Sequence, residues 1–280
     1  MLKPLSRLSL ALALAVAFTV LFGANAPAQQ AAPDVYVVVT YIKTLPGQDA
    51  AYRDYLTTTG KKIFQEMMVA QPTLLYWSSA RTMFQGTEIG SDFDYVGASV
   101  YAGPPPEPGT TPDSFYMKAA GMSQADLGKK LAAMRTIVGT EVLRQQAALS
   151  TPGVLKEGDF RVVAQIRIKP GMGNEYYDAA RAMAQPMMQA RAANGELKTW
   201  SVWSRVFPAG PGTSYDALTV SYYKDQASAI KGLDATKGME AFMKVHAGKN
   251  YGTYINNMRD YSELRQRFIM QIIAMAERAR

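Results

Sequence analysis

The chain has 280 residues, 48% of them apolar and 19% charged, with a formal charge of +7, one histidine and no cysteine. That balance suits a folded protein with one large core or two small ones and excludes general disorder. It also excludes disulfides, a cysteine nucleophile, thiolate metal sites and a histidine-built zinc centre, and the basic residues are too scattered among acidic ones to suggest nucleic acid as a partner.

Lys3 and Arg7 precede an apolar run from Leu8 to Phe22, which is followed by Ala24-Asn25-Ala26-Pro27-Ala28. That is the order of a secretory signal peptide over 1–28, and the apolar run is shorter than the ~20 residues of a membrane span. The expectation is an exported protein, periplasmic or extracellular, with cleavage near Ala28, a short linker over 29–34 and no stable membrane insertion afterwards. An uncleaved N-terminal anchor is the alternative.

An alternating strand rich in β-branched residues, VYVVVTYIK, then runs into Pro46-Gly47 and a helical pattern whose apolar face is Tyr52, Tyr55, Leu56, Ile63 and Met67. The strand LLYWSSAR (74–81), a glycine-containing loop and DYVGASVY (94–101) follow. PPPEPGTTP (104–112) is a stiff connector. Ser123, with Asp126 three residues on, opens a helical reading of 123–149. STPGVLKEGD over 150–159 marks a boundary, with VLKE as a candidate fourth strand.

The same order then recurs. RVVAQIRIK leads to Pro170-Gly171 and a helical face of Tyr176, Ala180, Met183 and Met187, where Pro186 should kink or shorten the helix. KTWSVWSR (198–205) and DALTVSYY (216–223) come next, and a helical run from about Lys249 to Arg280 ends the chain. Placing Pro46-Gly47 on Pro170-Gly171 brings Lys43 over Arg167 and Tyr52 over Tyr176. Placing Asp94 on Asp216 brings Ser99 over Ser221 and Tyr101 over Tyr223.

This doubled order, carried by the two strand-Pro-Gly-helix segments, the tryptophan strands and the strands opened by Asp94 and Asp216, resembles the dimeric α+β barrel superfamily, which is ferredoxin-like. The resemblance implies an α+β fold of two tandem ferredoxin-like repeats with antiparallel sheets and long helices. The repeats are 35–149, with its Pro-rich insert at 104–112, and 160–280, with a long C-terminal helix; 150–159 links them. They would form an intramolecular pseudo-dimer, with ligands between a sheet and its helices or inside the barrel. One half exposes a sheet face that only a second half can cover, which accounts for a turn written twice. In FMKVH, Phe242, Val245 and His246 resemble the haem-degrading members of the antibiotic-biosynthesis-monooxygenase branch. By that resemblance His246 is a candidate cofactor ligand. The plainer alternative is a solvent-exposed helix histidine.

Alternation sets Val38, Thr40 and Ile42, with Val162, Ala164 and Ile166, on a face suited to pack under helices. Val39, Tyr41 and Lys43, with Val163, Gln165 and Arg167, take the opposite face. On the third strands Ser99, Tyr101, Ser221 and Tyr223 are separated from Val96, Ala98, Val100, Leu218 and Val220. The expected site is a cleft lined by Tyr41, Lys43, Tyr101, Gln165, Arg167 and Tyr223, with Trp77 and Trp200 nearby, for a small organic or aromatic ligand. The alternative is that these residues only pack across the interface between the halves. Trp203 is read as core, and Arg81 and Arg205 as solvated or paired with Asp94 or Asp216.

No GxSxG motif or phosphate loop occurs, and Asp92 and Asp94 make at best an untuned carboxylate pair. The function expected from the sequence is a binding or interaction module without demonstrable catalysis, with no metal and no cofactor. One alternative is a haem-binding or cofactor-free monooxygenase-like enzyme using the second repeat. Another is a structural pseudo-dimer whose C-terminal helix, with Phe268, Ile269, Ile272, Ile273 and Met275, docks a partner or builds a homo-oligomer.

Overall fold

The computed structural model describes residues 34–85, 93–107, 111–210 and 212–278. The leader-like segment, Asp92 and part of the proline-rich connector lie outside the described residues. Among the described residues eight strands are formed: β1 (Val35–Thr44), β2 (Leu74–Gln85), β3 (Tyr95–Ala102), β4 (Arg135–Ala148), β5 (Phe160–Ile168), β6 (Thr199–Phe207), β7 (Ala217–Tyr223) and β8 (Ser262–Glu277). They close into an antiparallel barrel in the order β1-β3-β2-β8-β5-β7-β6-β4, with β4 returning to β1. Neither half closes its own sheet: β8 bridges β5 to β2, and β4 bridges β1 to β6.

Helices cover the outside. In the first half α1 (Asp49–Tyr55) and α2 (Lys61–Ala70) are joined by a π turn, Leu56–Gly60, and followed later by α3 (Asp113–Ala120) and α4 (Gln124–Ala132). In the second, α5 (Gly173–Ala179) and α6 (Gln185–Ala193) are joined by a π turn at Ala180–Ala184. Beyond β7 come α7 (Gln226–Lys231), α8 (Ala235–Val245) and α9 (Tyr251–Tyr261). Pro186 does not break its helix; α5, the π turn and α6 run on without interruption, and the proline falls just after the π turn. The first half makes the same π turn without a proline, so the proline is not its cause.

The repeated turn has a local explanation. Gly47 and Gly171 take φ of +77° and +81°, a left-handed conformation open to glycine. Asp94 Oδ2 accepts from Thr44 N at 2.9 Å and from Thr44 Oγ1 at 2.6 Å, and Asp216 Oδ2 accepts from Ile168 N at 2.8 Å. Each aspartate thus ties the end of the first strand to the start of the third. Beneath the helices, Tyr52 and Tyr176 are both 2% exposed. Tyr52 packs with Ile42, Leu56, Trp77 and Tyr101, and Tyr176 with Val162, Ala180, Trp200 and Tyr223.

Two expected helices are strands. The segment 123–149 is helical only to Ala132, and β4 occupies the rest. The long C-terminal helix is α9 followed by β8. VLKE is not a strand. Glu, Leu, Arg, Met and Ala favour helix locally, but β4 and β8 each pair on both edges within a closed barrel, and that tertiary context prevails. β8 is covered on both faces, so it reads as a nearly continuous apolar run. Phe268 (2% exposed), Ile269 (8%) and Ile272 (1%) therefore belong to the barrel wall and are not a docking face.

Candidate functional site

The inward rows of the strands enclose a cavity of about 420 Å³. Val37, Val39, Val96, Ala98, Leu218 and Val220 give it apolar walls, with Phe93, Trp200 and Trp203 as its aromatic surfaces. At one rim, where β4 ends and β5 begins, Leu149, Pro152 and Leu155 of the connecting segment also line it. That segment is fastened by Leu149 N to Trp200 O (3.2 Å) and Gly153 N to Lys198 O (2.8 Å).

A guanidinium crosses this apolar space. Arg161 stands on the inward row of β5, is 3% exposed, and donates from Nη2 to the carbonyl of Val96 on β3 at 3.0 Å. Its Nε has no hydrogen-bond partner, and among the described residues no carboxylate pairs with it. Among the described residues the Tyr76 hydroxyl, also on the cavity wall, is buried without a well-formed hydrogen bond as well. Burial is the main cause that raises the Tyr76 phenol above its ordinary range. An unpaired buried ion carries a desolvation penalty of roughly several kcal/mol, so a complementary anion in the cavity would be strongly favoured.

Away from that rim, Tyr41 reaches Glu141 Oε2 at 3.0 Å and Tyr215 Oη at 3.0 Å, and Tyr215 is itself hydrogen-bonded to Glu141. Arg205 Nη1 donates to Glu141 Oε1 at 3.1 Å while its guanidinium lies 4.1 Å from the Tyr215 ring centroid. Burial, followed by the charge of Glu141, holds the Tyr41 phenol well above its usual range. For Tyr215, burial and then Tyr41 act in the same direction.

The residues expected to share one cleft are divided by the sheet. Tyr41 lines the lumen. Gln165 lies on the lumen-facing row of β5, but Lys43 and Arg167 end that face as tethers, Lys43 to Asp94 at 3.3 Å and Arg167 to Thr213 O at 2.5 Å and Asp216 at 3.5 Å. Tyr101, Trp77 and Tyr223 lie on the helix side: Trp77 stacks on Phe64 at 4.3 Å, and Tyr223 lines a separate cavity of about 480 Å³ beside Arg191. Trp200 packs under the helices and also borders the lumen.

Arg81 and Arg205 do not pair with Asp94 and Asp216. Arg81 meets Asp49 at 3.2 Å, and Arg205 meets Glu141. Trp77 faces Ser99 and Trp200 faces Ser221, so Thr82, not Arg81, is the counterpart of Arg205. That offset of one residue turns Arg205 inward and Arg81 outward.

His246 ends α8 away from the lumen. It is 9% exposed, its Nε2 is 2.9 Å from Met183 O, and its ring packs 4.7 Å from Phe242. It is neither solvent-exposed nor a free ligand.

Arg161, Tyr76, Glu141 and Tyr215 were not among the expected site residues. Arg161 had a signal, since it shares the alternation of Val163, Gln165 and Arg167. Glu141 had none while its segment read as a helix.

No family model matches the chain, and no curated protein matches it. Among solved structures, a protein from Fusobacterium nucleatum provisionally named a monooxygenase is similar with a TM-score of 0.53 at 10% identity, over 89% of this chain and 96% of that one. The fold is the dimeric α+β barrel. A provisionally named monooxygenase from Lactobacillus acidophilus (TM-score 0.49, 10% identity, 88% and 96% covered) and an anthrone oxidase-like protein (0.45, 11%, 88% and 93%) are also similar. The expectation of a binding or interaction module without catalysis is corrected by the Fusobacterium structure, which bears an enzyme name. The resemblance around FMKVH makes haem the cofactor to test. At His246 the residues do not fit haem: the ring nitrogen that would ligate iron is engaged by a backbone carbonyl within a packed helix cluster.

Proposed function

We propose that the chain is a monooxygenase-like enzyme that oxidises a small aromatic anion held inside the barrel, in a tandem pseudo-dimer whose second half supplies the anion-binding group. The observation that carries this reading is Arg161, a buried guanidinium without a counter-ion among the described residues, in an apolar, aromatic-walled cavity of about 420 Å³. Such a site selects a flat apolar molecule with one negative group. The monooxygenase name of the Fusobacterium structure supplies the reaction class.

Arg161 would orient the anion and favour charge held on the ring, while the apolar walls exclude water and keep that interaction strong. With a phenol as substrate and dioxygen as oxidant, one oxygen atom becomes a second carbonyl on the ring. The other leaves as water with the hydroxyl proton and the displaced ring hydrogen, giving a quinone. No carboxylate or imidazole is found among the described residues that line the cavity, so any proton acceptor must act through another group.

The test is dioxygen uptake with 6-hydroxy-2-naphthoate as the probe, comparing wild type with Arg161→Val. Wild type should consume dioxygen and release a quinone, and the variant should lose both binding and uptake. Probe bound in the lumen without dioxygen uptake would overturn the oxygenase reading.

A further inference from the structure

Tyr41 Oη, Tyr215 Oη and Glu141 Oε2 form a triangle in which Tyr41 is 3.0 Å from each of the other two and Tyr215 is bonded to Glu141. Two hydroxyls bring two protons to three edges, so one edge has no proton to share. The remaining carboxylate oxygen of Glu141 is taken by Arg205. The charged and titratable groups around the carboxylate are Tyr41 from β1, Tyr215 from the approach to β7 and Arg205 from β6, with Arg161 from β5 acting on Tyr41. Tyr41 is the member of the triangle that lines the cavity.

We propose that this triangle accepts the hydroxyl proton of the substrate through Tyr41, and that the substrate is therefore a hydroxyaryl carboxylate, with its carboxylate on Arg161 and its hydroxyl on Tyr41. The inference rests on the lumen reading above and names its substrate class. The substrate O–H proton passes to Tyr41 Oη as the proton of Tyr41 passes to Glu141 Oε2. The substrate oxygen keeps the bonding pair and becomes a phenolate, and the carboxylate is neutralised. Because burial keeps Tyr41 from ionising by itself, it acts as a relay, and Glu141 is the final acceptor. Tyr215 and Arg205 are positioning residues that hold the carboxylate from behind.

The test is the absorbance of 6-hydroxy-2-naphthoate bound at neutral pH, beside the affinity of 2-naphthoate, which has the carboxylate alone. Wild type should show the naphtholate band. Tyr41→Phe should bind both probes but show the naphthol band, with the naphtholate returning only as pH approaches the ordinary phenol range of about 10. Glu141→Gln should also lose the band, which keeps the test available if Tyr41→Phe does not fold. A naphthol spectrum in wild type, with both probes bound, overturns this inference and leaves the lumen reading intact. Failure of 2-naphthoate to bind overturns both.

Discussion

Val37 on β1 stands where Arg161 stands on β5, Tyr41 where Gln165 does, Phe93 where Tyr215 does, and Glu141, facing Val39, where Phe268 faces Val163. Outside the lumen the halves share a frame. Each has the Pro-Gly turn, a tethering aspartate, a π turn, a buried tyrosine and a β-bulge beside the fourth strand at matching positions. The frame repeats because each element has the same local task in both halves. The inward rows differ, so Arg161, which has no carboxylate partner among the described residues, comes from the second half, while Tyr41 and Glu141 come from the first and are joined by Tyr215 and Arg205 of the second around a single space. A symmetric barrel would duplicate its site, whereas this one builds one site from two unlike walls.

The comparison breaks most severely at Glu141. Glu141→Ala should destabilise the fold by about 3–5 kcal/mol, because it leaves Arg205 buried and unpaired; chemical denaturation measures this, and a neutral result would contradict the network. Removal of the tethers tests the shared frame. Asp94→Ala and Asp216→Ala should each lose roughly 1.5–3 kcal/mol, since both remove hydrogen bonds to a charged acceptor. A large effect in one half only would show that the frame is not shared.

Asp94 also has a pH signature. Burial raises its pKa, but the bonds from Thr44 and Lys43 outweigh that and leave it lowered. The stability it contributes should be fully present above the unfolded carboxylate value of about 3.9 and be lost as pH falls through the lower folded value. The gap between wild type and Asp94→Asn should close over that acid range.

At Arg161 stability and function should separate. Arg161→Val, which installs the residue of the first half, should leave the melting temperature unchanged or raise it while abolishing 2-naphthoate binding. A lower melting temperature with binding retained would make the guanidinium structural. The smallest effect is expected at His246. His246→Ala should cost about 0.5–1.5 kcal/mol through one lost hydrogen bond and leave 2-naphthoate binding unchanged.

Much of the frame can be read in the sequence because it is local: Pro46-Gly47 and Pro170-Gly171 announce turns, and alternation correctly sorts Val38, Thr40 and Ile42 from Val39 and Tyr41. β4 and β8 cannot be read in that way. Their helix-forming residues are overruled by partners more than 50 residues away in sequence, as in the pairings of Ala148 with Ser201 and of Val39 with Glu141. The site divides similarly. Tyr41 is legible from its row, but Glu141 depends on recognising β4 as a strand, and Arg205 on a one-residue offset between the tryptophan strands. The enclosed charge of Arg161 depends on how eight strands close, a property of the barrel and not of any segment.

The most direct test of the central claim is a crystal structure of the protein with 2-naphthoate. The account predicts the ring between Trp203 and the valine rows of the lumen, with its carboxylate hydrogen-bonded to Arg161. A naphthoate seated instead under the helices beside Tyr223 and Arg191, with none in the lumen, would contradict it.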